Sequence, residues 1–156
     1  SSSVEPSRAA IAPALPIGSW AWPVEGPVIR GFDPPETPYG TGHRGLDIAV
    51  APGTVIAAPQ SGIVSFSGKV GGELFITIDH GAQLSSTCSW ASSSAVRKGE
   101  AVSRGQPIGT TGAGHPGSTV SHLHFGVRLA GVYVDPLDYL APSGVEDLIR
   151  LVPIPA

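Results

Sequence analysis

The sequence predicts an all-β domain with little helix, and two observations support this prediction. The 156 residues include 21 glycines and 16 prolines, a composition that suits short strands joined by many turns. Short apolar stretches also recur along the chain, each bounded by Gly, Pro, Asp or Ser, as expected of antiparallel strands. A chain of this length can form one ordinary domain with a core of its own.

The first part of the chain is predicted to contain a leader, a strand and a loop. Residues 1–17 are small, polar and rich in proline, and we expect them to form a flexible leader. Around Trp20 and Trp22 large residues alternate with small ones, which predicts an opening strand with both indole rings on one face. Residues 32–42 hold three prolines and two glycines, which predict a rigid loop because proline fixes φ and removes donors.

The rest of the chain is predicted to be mostly strand. Beyond residues 43–50, strands are expected within residues 53–59, 61–68, 73–81, 86–93, 102–112 and 121–129. Helix is expected at two places: one turn from Asp135 through Leu140 with Pro136 at its start, and a short helix over residues 145–152 after a capping box. We therefore divide the chain into a leader (1–17), a β domain (18–141) and a C-terminal extension (142–156).

Charge and cysteine content exclude several classes of protein. The net charge is −3 and the nine Lys and Arg residues are scattered, which argues against nucleic acid as a partner. Cys88 is the single cysteine, so neither an intrachain disulfide nor a thiolate zinc cluster can form, and we expect a buried, inert thiol. We also expect no transmembrane helix and no signal peptide, since long apolar runs and a basic start are missing.

Histidine spacing provides the strongest chemical signal. His43 and Asp47 are four residues apart, and His122 and His124 are two apart. Side chains at even separations share one face of an extended strand, so each segment would place two polar groups on the same side if both are strands. His80 follows an alternating strand pattern, and we expect it to be structural.

The intervening residues agree with this arrangement. Leu46, Ile48, Leu123 and Phe125 have the opposite parity, where a core face should lie. Two imidazoles and a carboxylate that converge from two strands match a catalytic zinc site, which has three protein ligands and one open position for water. The alternative interpretation of the same spacing is a hydrated polar face.

A series of short motifs carries a resemblance to a known family. They are G-H-R-G-L-D at 42–47, A-P-G-T-V-I-A-A at 51–58, G-I-V at 62–64, I-D-H-G at 78–81, G-Q-P-I-G at 105–109, H-L-H-F at 122–125 and V-D-P at 134–136. In this order they resemble the lysostaphin and LytM-type zinc endopeptidases of peptidase family M23, over roughly residues 20–140.

The resemblance implies a fold, a cofactor and a substrate. The expected fold is a compact antiparallel two-sheet LytM-like domain with an active-site groove, and the expected cofactor is one Zn²⁺ ion per chain. His43, Asp47 and His124 match the family's metal ligands, and His122 matches one of two histidines that flank the zinc-bound water. The expected partner is a peptidoglycan peptide or glycan, outside the cell or in its envelope, and we expect a monomer.

One position departs from the family pattern. The second catalytic histidine of the family normally lies in a T-x-Y-x-H-L segment, and counting back from residues 95–99 puts Trp90 at that position and Cys88 at the tyrosine. An indole donates one hydrogen bond but does not shuttle protons near neutral pH. His115 lies in the glycine-rich loop before His122 and is a candidate substitute; alternatively it is solvated and idle.

Two functions from different classes follow from these observations. The first is a zinc metalloendopeptidase that cuts peptidoglycan peptides, assisted by His122 and His115. The second is a catalytically degenerate, zinc-retaining envelope module that binds peptidoglycan or regulates a partner hydrolase. Retention of all three ligand residues favours the enzyme, whereas Trp90 favours the module. A third interpretation is a β domain in which the histidines merely pack.

Overall fold

The computed structural model describes residues 18–34 and 42–142 of the chain. Within these residues the strands are β1 Val28–Arg30, β2 Leu46–Ala49, β3 Val55–Ala57, β4 Gly62–Val70, β5 Glu73–Gly81, β6 Leu84–Ser94, β7 Ala101–Val102, β8 Pro107–Thr111, β9 His122–Leu129 and β10 Val132–Val134. A single 3₁₀ turn covers Pro136–Asp138 in this part of the chain. The described residues contain no helix long and apolar enough to cross a membrane.

The expected antiparallel all-β fold is confirmed. All the strand pairs are antiparallel, and the main path of the sheet runs β1-β2-β9-β6-β5-β4-β7. Strand β10 extends this sheet beside β9, while β3 and β8 pair with each other off the main path. The two groups of strands share β6, because its first part pairs with β9 and its last residues, from Ala91 to Ser94, pair with β8.

Alternation along the central strands separates a core face from a polar face. Leu46 and Ile48 of β2 and Leu123 and Phe125 of β9 are fully buried, as their parity in the sequence predicts. The four side chains belong to a core that also includes apolar residues of β4, β5 and β8. Burial of this face fixes the strand register, since a shift by one residue would turn every apolar side chain outward.

The predicted opening strand across Trp20 and Trp22 is wrong. Only Val28–Arg30 forms a strand in this region, and Trp20 makes an isolated parallel bridge to Leu140. Pro23 and Pro27 lie between these points and have no N–H to donate to a ladder. Their carbonyl groups instead accept hydrogen bonds from β3 and from the end of β2, so the segment packs along the sheet without joining it.

The two ends of the described domain are tied together. The Trp20 N–H donates to the Tyr139 carbonyl at 2.8 Å, and the Ala141 N–H donates to the Trp20 carbonyl at 2.8 Å. The turn predicted at Asp135 is confirmed, because the Asp135 carboxylate accepts from the Leu137 N–H at 3.0 Å. The predicted leader, the helix over residues 145–152 and most of the proline loop (35–41) lie outside the described residues.

Candidate metal centre

Strands β2 and β9 bring three of the predicted site residues to one face. The two strands pair antiparallel with His124 opposite Asp47. His122 lies two residues before His124 on β9, and its side chain is therefore on the same face. This face is opposite the apolar one that forms the core, so the arrangement expected from parity in β2 and β9 is confirmed.

His43 joins this group by a different route from the one that the sequence suggested. Residues 43–45 are not part of β2, and His43 instead forms an isolated bridge with Asp33. The backbone N–H of His43 donates to the Asp33 carbonyl at 2.7 Å, and the backbone N–H of Asp33 donates to the His43 carbonyl at 2.8 Å. A bend at residues 44–45, rather than an extended strand, turns the imidazole toward Asp47.

The hydrogen bonds of His43 define its tautomer. Its Nδ1 lies 2.9 Å from the Gly31 carbonyl oxygen, which can only accept, so Nδ1 carries the proton. The other ring nitrogen, Nε2, faces Asp47 Oδ1 at 3.1 Å. A histidine whose other nitrogen is held by a backbone carbonyl is the arrangement typical of metal ligands.

Asp47 lies at the centre of the group and is only 3% exposed. Its Oδ1 is 3.0 Å from His124 Nδ1 and 3.1 Å from His43 Nε2. Burial raises the pKa of Asp47, but the hydrogen bond with His124 and the charges of the surrounding histidines outweigh this effect, so its pKa lies below the ordinary value. The carboxylate is therefore ionised, as a metal ligand must be.

The donor set of His43, Asp47 and His124 fits a zinc ion. Their three donor atoms lie within 4.8 Å of one another. In a tetrahedral site with zinc–ligand distances near 2.1 Å, neighbouring donors are separated by roughly 3.3 Å, close to the two separations measured around Asp47 Oδ1. Two imidazoles and one carboxylate leave one coordination position open, which is the composition of catalytic zinc sites.

His122 and His115 form a second pair beside this carboxylate. His122 is 1% exposed, and its Nδ1 lies 2.8 Å from the Val120 carbonyl oxygen, so Nδ1 carries the proton. Its Nε2 lies 3.0 Å from His115 Nδ1 and 3.7 Å from Asp47 Oδ2. The half-buried His115 is thus in contact with the site, where the sequence left open whether it would be idle.

Trp90 faces the same site. Its ring centroid lies 5.4 Å from that of His124, 5.5 Å from that of His115 and 6.2 Å from that of His122. An indole thus occupies the wall of the candidate metal centre, at the position where the family pattern has a histidine. The sequence indicated this position only through the family pattern, counted back from the turn at residues 95–99.

The backbone at Trp90 explains how its ring reaches the site. Phe75 of β5 pairs with Ser89 and Leu74 pairs with Ala91, so Trp90 is an extra residue in β6 and forms a β-bulge. Its φ of 63° lies in the left-handed region, which is costly for a bulky residue. A bulge re-aims the side chain that it carries, here toward the histidines.

Two glycines that the sequence analysis did not single out shape the site. A Cβ at Gly45 would come within 2.5 Å of the Phe125 carbonyl oxygen and 2.8 Å of His124 Nε2. A Cβ at Gly114, where φ is +100°, would come within 2.5 Å of the His122 ring. Gly45 lies between the predicted ligands His43 and Asp47 in the chain. A glycine in such a segment often marks a place where another group approaches the backbone closely, and this was the signal in the sequence.

The remaining candidates lie elsewhere. His80 packs on Trp20 with ring centroids 4.7 Å apart, and its Nδ1 donates to the Ser61 carbonyl at 2.9 Å, which confirms a structural role. Cys88 is 2% exposed in the core, as expected for an inert thiol.

Comparisons with known proteins point to one family. Residues 41–136 match peptidase family M23. The chain is 34% identical to the murein hydrolase activator NlpD of Salmonella typhimurium over 141 residues, which cover 89% of this chain and 36% of that protein. It is 36% identical to NlpD of Escherichia coli, over 81% of this chain and 32% of that protein. The chain thus spans about a third of the length of these curated relatives.

Solved structures agree with the sequence comparison. A zinc containing peptidase from Vibrio cholerae superposes with a TM-score of 0.66 at 25% identity, over 81% of this chain and 41% of that one. Lysostaphin from Staphylococcus simulans superposes with a TM-score of 0.66 at 23% identity, over 79% of this chain and 54% of that one, and shares the fold. The family match covers His43, strands β2 to β10 and the bulge at Trp90, and this chain belongs to peptidase family M23.

Proposed function

We propose that this domain binds one zinc ion through His43, Asp47 and His124 and hydrolyses peptide bonds of peptidoglycan. The observation that carries the proposal is the convergence of three donors on one point, with Asp47 Oδ1 3.1 Å from His43 Nε2 and 3.0 Å from His124 Nδ1. The Gly31 carbonyl holds the opposite nitrogen of His43. One chain supplies all three donors, so the site requires no second copy and a monomer suffices.

The chain's own residues supply the rest of the chemistry. Zinc in such a site polarises a carbonyl group and lowers the pKa of a bound water toward about 7. The Val120 carbonyl fixes the proton of His122 on Nδ1, which leaves Nε2 as the acceptor. His122 Nε2 would accept the proton of the attacking water and would return a proton to the leaving amine.

His115 supports this transfer as a partner of His122. Its Nδ1 is 3.0 Å from His122 Nε2, close enough to accept a hydrogen bond from that nitrogen once it has taken up a proton. Trp90 cannot take this part, because an indole N–H only donates. The proposed catalytic pair is therefore His122, which contacts the reacting water, and His115 in place of the histidine that the family pattern has at position 90.

The substrate class and location follow from the relatives. NlpD is named as a murein hydrolase activator, and murein is peptidoglycan. We accordingly place this domain in the cell envelope or outside the cell, with a peptidoglycan peptide as its substrate.

The second candidate function is a zinc-retaining module that activates a partner hydrolase. Trp90 favours it, since its ring occupies the wall of the site at 5.4 Å from His124 and cannot transfer protons. The name of NlpD, an activator rather than a hydrolase, fits this alternative. In this second function, the metal site stabilises the fold, and the surface around the metal site binds the partner hydrolase.

Digestion of purified peptidoglycan, scored by new amino termini, separates the two functions. The enzyme predicts cutting by the zinc-loaded wild type, loss of cutting in His43→Ala and His124→Ala, and retention in His80→Gln, a histidine outside the site. Zinc content measured on the same samples after removal of weakly bound metal should be about one ion per chain in wild type and His80→Gln, and it should fall in the two ligand variants. A zinc-loaded wild type that releases no amino termini would reject the enzyme and leave the activator.

A further inference from the structure

We propose that the domain holds a second divalent metal ion, bound by Asp47 Oδ2, His115 Nδ1 and His122 Nε2, next to the first. The two sites would share the carboxylate of Asp47. This inference goes beyond the proposed function, which needs one ion only. Because the second ion would occupy His122 Nε2, the nitrogen proposed to accept a proton, it would oppose the peptidase reaction rather than take part in it.

The separations of the three donor atoms fit a metal site. His122 Nε2 lies 3.0 Å from His115 Nδ1 and 3.7 Å from Asp47 Oδ2, and all three donors lie within 4.8 Å of one another. These separations lie on either side of the roughly 3.3 Å that separates neighbouring ligands of tetrahedral zinc. The first site has separations of 3.0 and 3.1 Å around Asp47 Oδ1, so the two sets of donors are comparably compact.

The hydrogen bonds of His122 leave the correct nitrogen available. Its Nδ1 donates to the Val120 carbonyl at 2.8 Å, and Ser118 Oγ lies 3.3 Å from the same atom. Nε2 therefore presents a lone pair, in a ring that is only 1% exposed. A buried imidazole whose other nitrogen is held by a backbone carbonyl has the second-shell arrangement of a metal ligand.

The contact between His115 and His122 leaves room for an ion between the two rings. His115 Nδ1 and His122 Nε2 lie 3.0 Å apart, so one divalent ion can contact both nitrogens. Neutral imidazole is the form of histidine that binds metal, through the nitrogen that carries no proton.

Asp47 is oriented to bridge the two ions. Its Oδ1 faces His43 and His124, whereas its Oδ2 faces His122. Two-metal hydrolytic sites have ions about 3.5–4 Å apart, a distance that one bridging carboxylate spans. Since a single negative charge is shared between two dications, we expect the second ion to bind more weakly than the first.

The surroundings hold the second set of donors in place. A Cβ at Gly114 would meet the His122 ring at 2.5 Å, so the loop backbone packs directly on this imidazole. The ring of Trp90 lies 5.5 Å from that of His115 and limits its movement on the other side. His115 is therefore confined near Asp47 although it belongs to a loop.

The test is a cobalt titration of the metal-free full chain, followed by visible absorption and electron paramagnetic resonance. We expect the wild type to bind about two ions per chain, with the second giving a spin-coupled signal from a pair about 3.5–4 Å apart. His115→Ala should bind about one ion, with an uncoupled signal and the affinity of the first site unchanged. The matched control is His80→Gln, which should retain both ions.

The outcomes separate this proposal from the proposed function. A wild type that saturates with one ion, or a His115→Ala variant that still binds two coupled ions, would overturn the second site and leave the zinc peptidase intact. Loss of the coupled signal in His122→Asn as well as in His115→Ala supports the second site, and this readout is independent of peptidase activity. Should a variant fail to fold, far-ultraviolet circular dichroism identifies it, and the other variant decides.

Discussion

The indole ring of Trp90 lies 5.4 Å from the imidazole ring of His124, and the two planes meet at 74°. This edge-to-face contact is a favourable aromatic geometry. It orients a proposed metal ligand, yet it uses a side chain that cannot accept a proton. The candidate metal centre thus combines a complete donor set with a wall that is hydrophobic on the side where the family pattern has a histidine.

Trp90→His should increase hydrolysis of peptidoglycan peptides. Removal of one transition-state hydrogen-bonding group costs about 10²–10³-fold in rate. This factor is the upper limit of the gain, and the gain is smaller to the extent that His115 already supplies the group. The backbone at this position has φ 63°, a conformation in which histidine is found more often than bulky residues. The measurement is kcat on a defined cross-link peptide at one zinc per chain.

A control variant shows whether a gain in kcat comes from proton transfer by the new histidine or from removal of the bulky indole. Trp90→Asn tolerates the same left-handed backbone and opens the wall equally, but its amide does not transfer protons. It should bind zinc as the wild type does and show no gain in kcat. Equal gains in both variants would mean that the indole blocks the substrate rather than replaces a catalytic group.

His122→Ala and His115→Ala should both lower kcat while the first zinc ion remains bound. We expect a loss of about 10²–10³-fold for His122→Ala, because its Nε2 is the proposed proton acceptor. His115→Ala should cost about 10²-fold, and its pH–rate profile should shift because His122 loses its partner at 3.0 Å. Unchanged kinetics in His115→Ala would show that this histidine is idle, as the sequence alone allowed.

Gly45→Ala should weaken zinc binding from a position that offers no ligand. The new methyl group would lie 2.5 Å from the Phe125 carbonyl oxygen and 2.8 Å from His124 Nε2, and His124 would have to move. Overpacking of this kind costs about 1–3 kcal/mol of folding free energy. The matched control is Gly31→Ala, since a Cβ there meets no atom within 4 Å and the carbonyl that holds His43 is unaffected. Competition with a chelating dye measures both affinities, and equal values would contradict the packing argument.

The sequence predicted the central strands and the face that carries Asp47, His122 and His124 because both depend on local patterns. The alternation of Leu46, Ile48, Leu123 and Phe125 with polar residues defines the two faces, and these four side chains are fully buried. Two-residue periodicity is imposed by the backbone itself. The predicted position of Trp90 in the site came from the family pattern, counted back from the turn at residues 95–99.

The errors arose where long-range contacts override local pattern. The alternation around Trp20 and Trp22 resembles that of a strand, but Pro23 and Pro27 cannot donate and their carbonyls pair with other segments. His43 reaches Asp47 through a bend and a bridge to Asp33, which strand parity does not describe. The contact of His115 with His122 depends on the loop path around Gly114, which the sequence does not specify.

Cys88 should be unreactive in the folded protein. Burial raises the pKa of this thiol to about 12, so the reactive thiolate is scarce at neutral pH. The residue is 2% exposed and lies between Ile76 and Phe125 in the sheet. A thiol reagent such as dithionitrobenzoate should label it only after denaturation, whereas rapid labelling of the native state would contradict this burial. Cys88→Ser should cost about 1–3 kcal/mol, because it buries a hydroxyl.

His80 should make the stability of the domain depend on pH. Burial lowers its pKa from the ordinary value of 6.5, against the raising effects of the Ser61 carbonyl and Asp79, so the folded state holds a neutral ring. Below pH 6.5 the unfolded chain binds more protons than the folded one at this residue, and the stabilisation present above that pH is lost as the pH falls toward the lowered pKa.

The comparison that isolates this residue is wild type against His80→Gln, both metal-free, unfolded by urea at about pH 8 and about pH 5.5. At the higher pH the variant should be less stable, because it loses the hydrogen bonds of His80 to Ser61 and Ser86 and its packing on Trp20. At the lower pH the difference should shrink, since only the wild type bears the cost of protonating a buried ring. The ligand histidines titrate in both proteins and cancel in the difference, so a gap that stays constant or widens in acid would mean that His80 is charged in the folded state.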